Sequence, residues 1–259
     1  MELHLNIPTA TSQLTSRQFR FISNLFLMYY SEREFLLKAF LYLSGLKFVH
    51  WKEADDDGAR WFKHDYCKET FLIEPSILVP LSEKCRFLFH GGEYQPLHWI
   101  KMARARHYRL FNATLDEYLM AENYFFAYVE TKKEDHLDNL ISVLYRYPWQ
   151  QWNSSKIQLR ALKFRTVDPA VKNSVFMWYV GFRGFVPKRC PNLFSGKGSS
   201  GKINIRNYIN GIIHQLTEGD ITRKRNLLKQ PAWDALDELE QRAYEIIESE
   251  RKIKSRQNS

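Results

Sequence analysis

Four times in this chain a Ser or Thr stands three residues ahead of a Glu or Gln at the head of a helical apolar repeat: Thr15 with Gln18, Ser31 with Glu34, Thr114 with Glu117, and Thr131 with Glu134. In that spacing the hydroxyl accepts from the backbone N–H of the later residue, and the later side chain accepts from the first residue's own N–H. Two donors that a helix start leaves orphaned are thereby satisfied. Apolar residues three and four apart follow each box: Phe19, Ile22, Phe26 and Tyr29; Phe35, Leu36, Ala39, Phe40 and Leu43, closed by Gly45; Leu115, Tyr118, Leu119 and Phe126; Leu137, Leu140, Ile141 and Leu144, ending at Pro148. That period buries one face of a helix. A helix-on-helix core follows.

Between about 46 and 95 the period changes. Lys47–Trp51 and Arg60–His64 flank Asp55-Asp56-Asp57-Gly58, an acidic turn closed by glycine, which reads as a β-hairpin with a longish loop. Phe71-Leu72-Ile73 and Cys85–Phe89, the latter ended by Gly91-Gly92, are further strand candidates. Later, Asp168-Pro169 is an N-cap with proline at the first helical position, leading a helix over Val171–Phe182. Residues 187–202 read as a basic loop, followed by a helix over about 205–216, a basic helix with Arg223, Lys224 and Arg225, and a last helix from Pro231. The expected fold is mainly α, a multi-helix globular fold with a small antiparallel β-hairpin or sheet insertion at about 46–95.

Apolar residues make up 44% of the 259 and charged residues 26%, which excludes a disordered or collagen-like chain. Met1–Asn6 has neither the basic nor the apolar region of a secretory signal. Phe21–Ser31 is too short for a membrane span, which needs roughly 20 apolar residues. Three cysteines are too few for a disulfide scaffold, so a reducing, cytoplasmic setting is the default. Charge is uneven: residues 151–230 hold 15 Lys+Arg against 3 Asp+Glu, or +12, while 1–150 sum to −1 and 231–259 to −2. A boundary is expected near residue 150, between a near-neutral body (1–150) and a basic helical region (151–259), either as two domains or as one continuous domain. The asymmetry points to an anionic partner, either nucleic acid or an acidic protein face.

Gly196–Lys202 approaches the phosphate loop G-x-x-x-x-G-K-[ST], but Ile203 stands where the magnesium-binding hydroxyl belongs, and no apolar strand precedes it. His64, Cys67, Cys85 and His90 together offer a zinc-like Cys₂His₂ set, although ordinary buried cysteine is the commoner case. Asp116 with Glu130-Thr131-Lys132 imitates a magnesium nuclease pattern. A helix would hold those two carboxylates on the order of 20 Å apart at 1.5 Å per residue. No nucleophile elbow or dinucleotide fingerprint occurs, and His214 reads as a packing or surface residue. No catalytic residue, cofactor or metal is expected, and the chain reads as a non-enzyme.

A basic belt remains: Lys101, Arg104, Arg106 and Arg109; then Lys156, Arg160, Lys163 and Arg165; then Arg223, Lys224, Arg225 and Lys229. Trp149, Trp152, Phe164 and Phe185 are interleaved with it, a pattern suited to stacking on bases. The plainer reading, aromatics in the core and cations in solvent, is favoured because none of the specific nucleic-acid motifs is met. The residues singled out for partner binding are Arg160, Lys163, Arg165, Arg223, Lys224 and Arg225.

Ile7-Pro8, Leu14-Thr15-Ser16-Arg17-Gln18, Thr114–Tyr118, the run Leu137–Tyr145, Val175–Tyr179 and Asp237–Glu240 form a pattern over most of the chain. It resembles a loosely defined group of small proteins encoded in tail-gene regions of phages and prophages of Bacteroidetes bacteria. The resemblance implies a tail-assembly chaperone or minor virion factor, and brings no catalytic residues with it. The first functional expectation is therefore a cytoplasmic interaction protein for phage tail or virion assembly, offering apolar grooves and the basic 151–230 segment to an acidic or helical protein. The alternative is a nucleic-acid-binding protein using the same segment, and no membrane partner is expected.

Overall fold

The computed structural model of the chain describes residues 5–28, 30–49, 59–194, 211, 213–214, 217 and 219–257. Helices α1 (Ser16–Leu27) and α2 (Glu32–Ser44) precede strands β1 (Leu46–Phe48), β2 (Arg60–His64) and β3 (Thr70–Ile73), then α3 (Pro75–Ser82) and a 3-10 segment, Glu83–Phe89. Strands β4 (Trp99–Ile100) and β5 (Ala103–Ala105) lead to α4 (Leu115–Thr131), α5 (Glu134–Leu144), β6 (Tyr145–Arg146) and α6 (Ile157–Ala161). The chain continues through α7 (Pro169–Arg189), α8 (Pro191–Phe194), α9 (Ile221–Lys229) and α10 (Ala232–Gln257). The fold is mainly α with two small antiparallel three-stranded sheets.

Three of the four boxes close with both reciprocal hydrogen bonds, at Thr15, Ser31 and Thr114. The fourth does not form. Helix α4 runs on through Thr131, whose hydroxyl donates to the Ala127 carbonyl at 2.6 Å, and Lys132 takes a left-handed φ of 56°. Lys133 becomes the cap of α5, leaving Glu134 and Asp135 in its first turn, where carboxylates suit the helix dipole.

The hairpin is present, with Leu46 opposite His64 and Phe48 opposite Phe62; its acidic turn, 55–58, lies outside the described residues. Gly45 supplies the left-handed conformation that ends α2 just before it. Strand β3 joins through Phe62 opposite Phe71. Cys85–Phe89, expected as a strand, is 3-10 helix instead. The buried positions are Ser82, Cys85 and Leu88, a spacing of three that matches the 3-10 period and not the strand period of two. The second sheet, order β4–β5–β6, lies beyond the expected insertion; strands of two and three residues are too short to show a period.

Asp168 caps α7 as read, its carboxylate accepting from Ala170 N–H at 2.8 Å. The helix then passes through Pro187 to Arg189, and α8 follows, so residues 187–194 are not a loop. Val186, Cys190 and Leu193, all buried, continue the apolar stripe at spacings of four and three and override the proline. The remainder of the expected loop, and most of the 205–216 helix, lie outside the described residues.

The chain divides into two compact units: Met1–Gln95 with Asp168–Gly181, and Pro96–Val167 with Phe182–Ser259. The charge step near residue 150 falls within the second. In the first unit, Phe21 stacks on Tyr42 at 3.7 Å between ring centroids, and Phe26, Phe35 and Phe89 form a cluster. Asn173 donates to the Ser23 carbonyl at 2.9 Å, and a Cβ at Gly181 would overlap the Gly92 carbonyl oxygen.

The second unit is built on α4. Helix α5 packs on α4 and α6 packs on α5, while α10 packs on both α4 and α8. The starts of α4 and α10 are pinned together, Leu115 N–H donating to the Gln230 carbonyl at 2.9 Å and Ala232 N–H to the Ala113 carbonyl at 2.8 Å. Glu240 accepts from the Asn192 and Leu193 amides that open α8. No helix among the described residues is long and apolar enough to cross a membrane.

Candidate functional site

The second sheet has one apolar face and one cationic face. Ile100 pairs with Ala103, and Ala105 with Tyr145; Ile100, Ala103 and Tyr145 are buried in the unit's core. On the opposite face Trp99 pairs with Arg104, and Arg104 with Arg146. Residues directly opposite across antiparallel strands project to the same side, within contact of one another. A Trp–Arg–Arg row therefore crosses the sheet, with Trp99 54% exposed and Arg104 exposed. Two like charges directly opposed are destabilising in a sheet, and Arg104 has no ion pair among the described residues. Glu117 offsets the charge of Arg146, while Arg104 is left without such an offset, which is the expected mark of a functional surface.

At the Arg146 end of this row sits a buried carboxylate. Glu117, in the first turn of α4, is 2% exposed; its Oε2 accepts from Thr114 N–H at 2.8 Å and so closes the capping box. Its Oε1 accepts from both Arg106 and Arg146, the latter at 3.2 Å. Burial is the first cause pulling the Arg146 guanidinium below its ordinary range, and the Arg106 charge adds to it, while Glu117 opposes both.

Arg160, on α6, is also buried, and its guanidinium lies 5.1 Å from the Trp152 ring centroid. The Trp152 indole N–H donates to Asp116 Oδ2 at 2.6 Å. Burial lowers the Arg160 pKa first, then the Arg146 charge, and Arg106 adds to them; Glu117 opposes. Three arginines (106, 146 and 160) thus gather around Glu117, a local excess of positive charge.

The other sequence-selected cations are dispersed. The Lys163 ammonium lies 4.8 Å from the Tyr147 ring centroid, and its carbonyl accepts from Lys101. Arg165 pairs with Asp135 at 3.3 Å, both exposed. Arg223, Lys224 and Arg225 lie exposed along α9, which Asp220 caps through Thr222 N–H at 2.7 Å. Arg146, Glu117 and Trp99 were not selected from sequence. The one local signal for them was Arg104-Ala105-Arg106, two cations at strand spacing.

The near misses separate. Asp116 and Glu130 occupy opposite ends of α4, and Asp116 is engaged by Trp152. His64 Nδ1 and Cys67 Sγ meet at 3.3 Å, but Cys85 is buried in the 3-10 segment and His90 Nδ1 faces the Arg86 carbonyl at 2.9 Å. Among the described residues no group of three or more His, Cys, Asp or Glu side chains is placed to hold a metal ion. Residues 196–203 lie outside the described residues. No protein-family model, curated protein or solved structure matches the chain.

Proposed function

We propose that the second unit is a non-enzymatic binding module for single-stranded nucleic acid, and that the strand lies on the outer face of the β4–β5–β6 sheet. The observation that carries this reading is the Trp99–Arg104–Arg146 row, of which Trp99 and Arg104 are exposed. An aromatic face beside guanidinium groups takes a base and its neighbouring phosphate together. Every base has a π-face, so such binding tolerates sequence. Trp149, 71% exposed and 5.4 Å from Tyr147 between centroids, extends the platform, with Lys163 over Tyr147. A duplex hides its base faces, so the unpaired strand is the better fit.

The test is fluorescence anisotropy with labelled single- and double-stranded DNA and RNA at low and physiological salt. Single strands bind in preference to duplexes, with log affinity falling by about 0.7 per log unit of salt for each phosphate contacted. Trp99→Ala weakens binding with little change in that slope, whereas Arg104→Ala reduces the slope. No binding of any nucleic acid at low salt refutes the proposal.

A second reading, a helical protein partner such as a tail- or virion-assembly client, is supported by Ile246 and Ile253, exposed seven residues apart on one face of α10. An amphipathic client helix would add its apolar face there. Recovery of such a client together with absence of strand binding is the outcome that selects this reading.

A further inference from the structure

The outer face of the second sheet accounts for Trp99 and Arg104 but leaves the guanidinium behind them unexplained. Arg160 is 4% exposed, and none of its three nitrogens has a hydrogen-bond partner. A buried charge is costly unless paired and hydrogen-bonded, yet the arginines around this one are themselves in excess. Arg106 and Arg146 share the single oxygen Glu117 Oε1, and Arg106 Nε is also buried without a partner. Trp152 lies against Arg160 and holds Asp116 through its indole. Against Arg106, Arg146 and Arg160 stands the Glu117 carboxylate, an excess of two positive charges. Arg104 is exposed, Arg146 partly exposed and Arg160 buried.

We infer that Arg160, with Arg106 and Arg146, is a receptor for a phosphate monoester dianion. Two negative charges cancel the excess, and the three phosphate oxygens accept from the Arg160 fork, which has no acceptor of its own, and from the N–H groups that Arg106 and Arg146 do not spend on Glu117. Trp152 holds the Arg160 plane from behind, so the fork is preorganised. Two sources carry this chemistry: the terminal phosphate of a strand lying on the sheet, or a free phosphorylated small molecule. The first source rests on the nucleic-acid reading; the phosphate chemistry itself does not.

The test has two arms, each run on the full chain and on Arg160→Gln. In the first, thermal unfolding is followed in chloride and with added inorganic phosphate at matched ionic strength. Wild type melts higher as phosphate rises, because a ligand bound only to the folded state stabilises it by mass action. Arg160→Gln loses that response and melts in chloride no lower than wild type, since an unpaired buried charge has been removed. A wild type indifferent to phosphate, or an Arg160→Gln that still responds, overturns the inference. Should Arg160→Gln fail to fold, Arg160→Lys serves: it keeps the charge and loses the fork, so its response falls, and a full response overturns the inference.

In the second arm, oligonucleotides with 5′-phosphate, 3′-phosphate or hydroxyl ends are compared by anisotropy. A preference of about tenfold or more for one phosphorylated end, lost in Arg160→Gln, identifies the strand end as the source. Equal binding of all ends, with the phosphate response intact, identifies a small phosphorylated molecule instead. Strand binding without a phosphate response overturns this inference alone, and a phosphate response without strand binding overturns the nucleic-acid reading alone.

Discussion

Glu117→Gln isolates the charge at the centre of the second unit. The glutamine oxygen still accepts from Thr114 N–H, so the capping box survives, while the negative charge shared by Arg106 and Arg146 disappears. Removing one partner of a buried ion pair costs about 3–5 kcal/mol. Arg106 and Arg146 retain some solvent contact, so the lower end, about 3 kcal/mol, is expected. Thr114→Ala removes only the cap hydroxyl and costs about 1 kcal/mol. In a unit of about 150 residues each kcal/mol moves the melting temperature by about 2–4 °C. Glu117→Gln therefore melts about 6–12 °C below wild type, and Thr114→Ala about 2–4 °C below. Circular dichroism melts in phosphate-free buffer read both. If Glu117→Gln falls no further than Thr114→Ala, the arginines are not held by that carboxylate and the charge argument fails.

Other outcomes follow from local features. Burial pushes the Cys85 thiol up to about 12 and the Cys190 thiol up to about 11, while Cys67 is exposed. A thiol reagent at pH 8 should therefore label one equivalent quickly in the native protein and three after unfolding; two fast equivalents would contradict the burial of these sites. The Ala170 amide, and after it Arg20, hold the Asp168 carboxyl below the usual carboxylate range. A depressed carboxylate stabilises the fold above its unfolded pKa and loses that contribution as pH falls through the folded one. Asp168→Ala should thus cost about 1 kcal/mol at neutral pH, the cap's share, since the half-exposed pair with Arg20 adds little. Urea titrations should show the gap from wild type closing in acid; a gap constant with pH would refute the cap assignment. Gly181→Ala would gain about 1 kcal/mol from helix propensity, but its methyl meets the Gly92 carbonyl, so a net loss of about 1–3 kcal/mol is expected. A stabilised Gly181→Ala in a melt would mean that the Gly92 segment yields.

The sequence by itself determined where helices begin. A capping box closes between residues three apart, and Thr15, Ser31 and Thr114 needed nothing beyond their own turn to do so. It determined the Asp168-Pro169 start of α7 for the same reason, and the hairpin of β1 and β2 through its apolar alternation. It failed where packing outvoted local preference: Thr131 was drawn into α4, Pro187 was carried through α7 by buried Val186 and Cys190, and Cys85–Phe89 took the period of three set by Ser82, Cys85 and Leu88. Tertiary structure alone decided the candidate site. Arg104, Arg146 and Arg160 lie on three different elements, and Trp99 is indistinguishable in sequence from a core tryptophan. Only the β5–β6 register sets Arg104 against Arg146, and only the placement of α4 brings Glu117 to Arg146. Charge is conspicuous in a sequence, but whether it is solvated or buried without a partner depends on neighbours from distant parts of the chain.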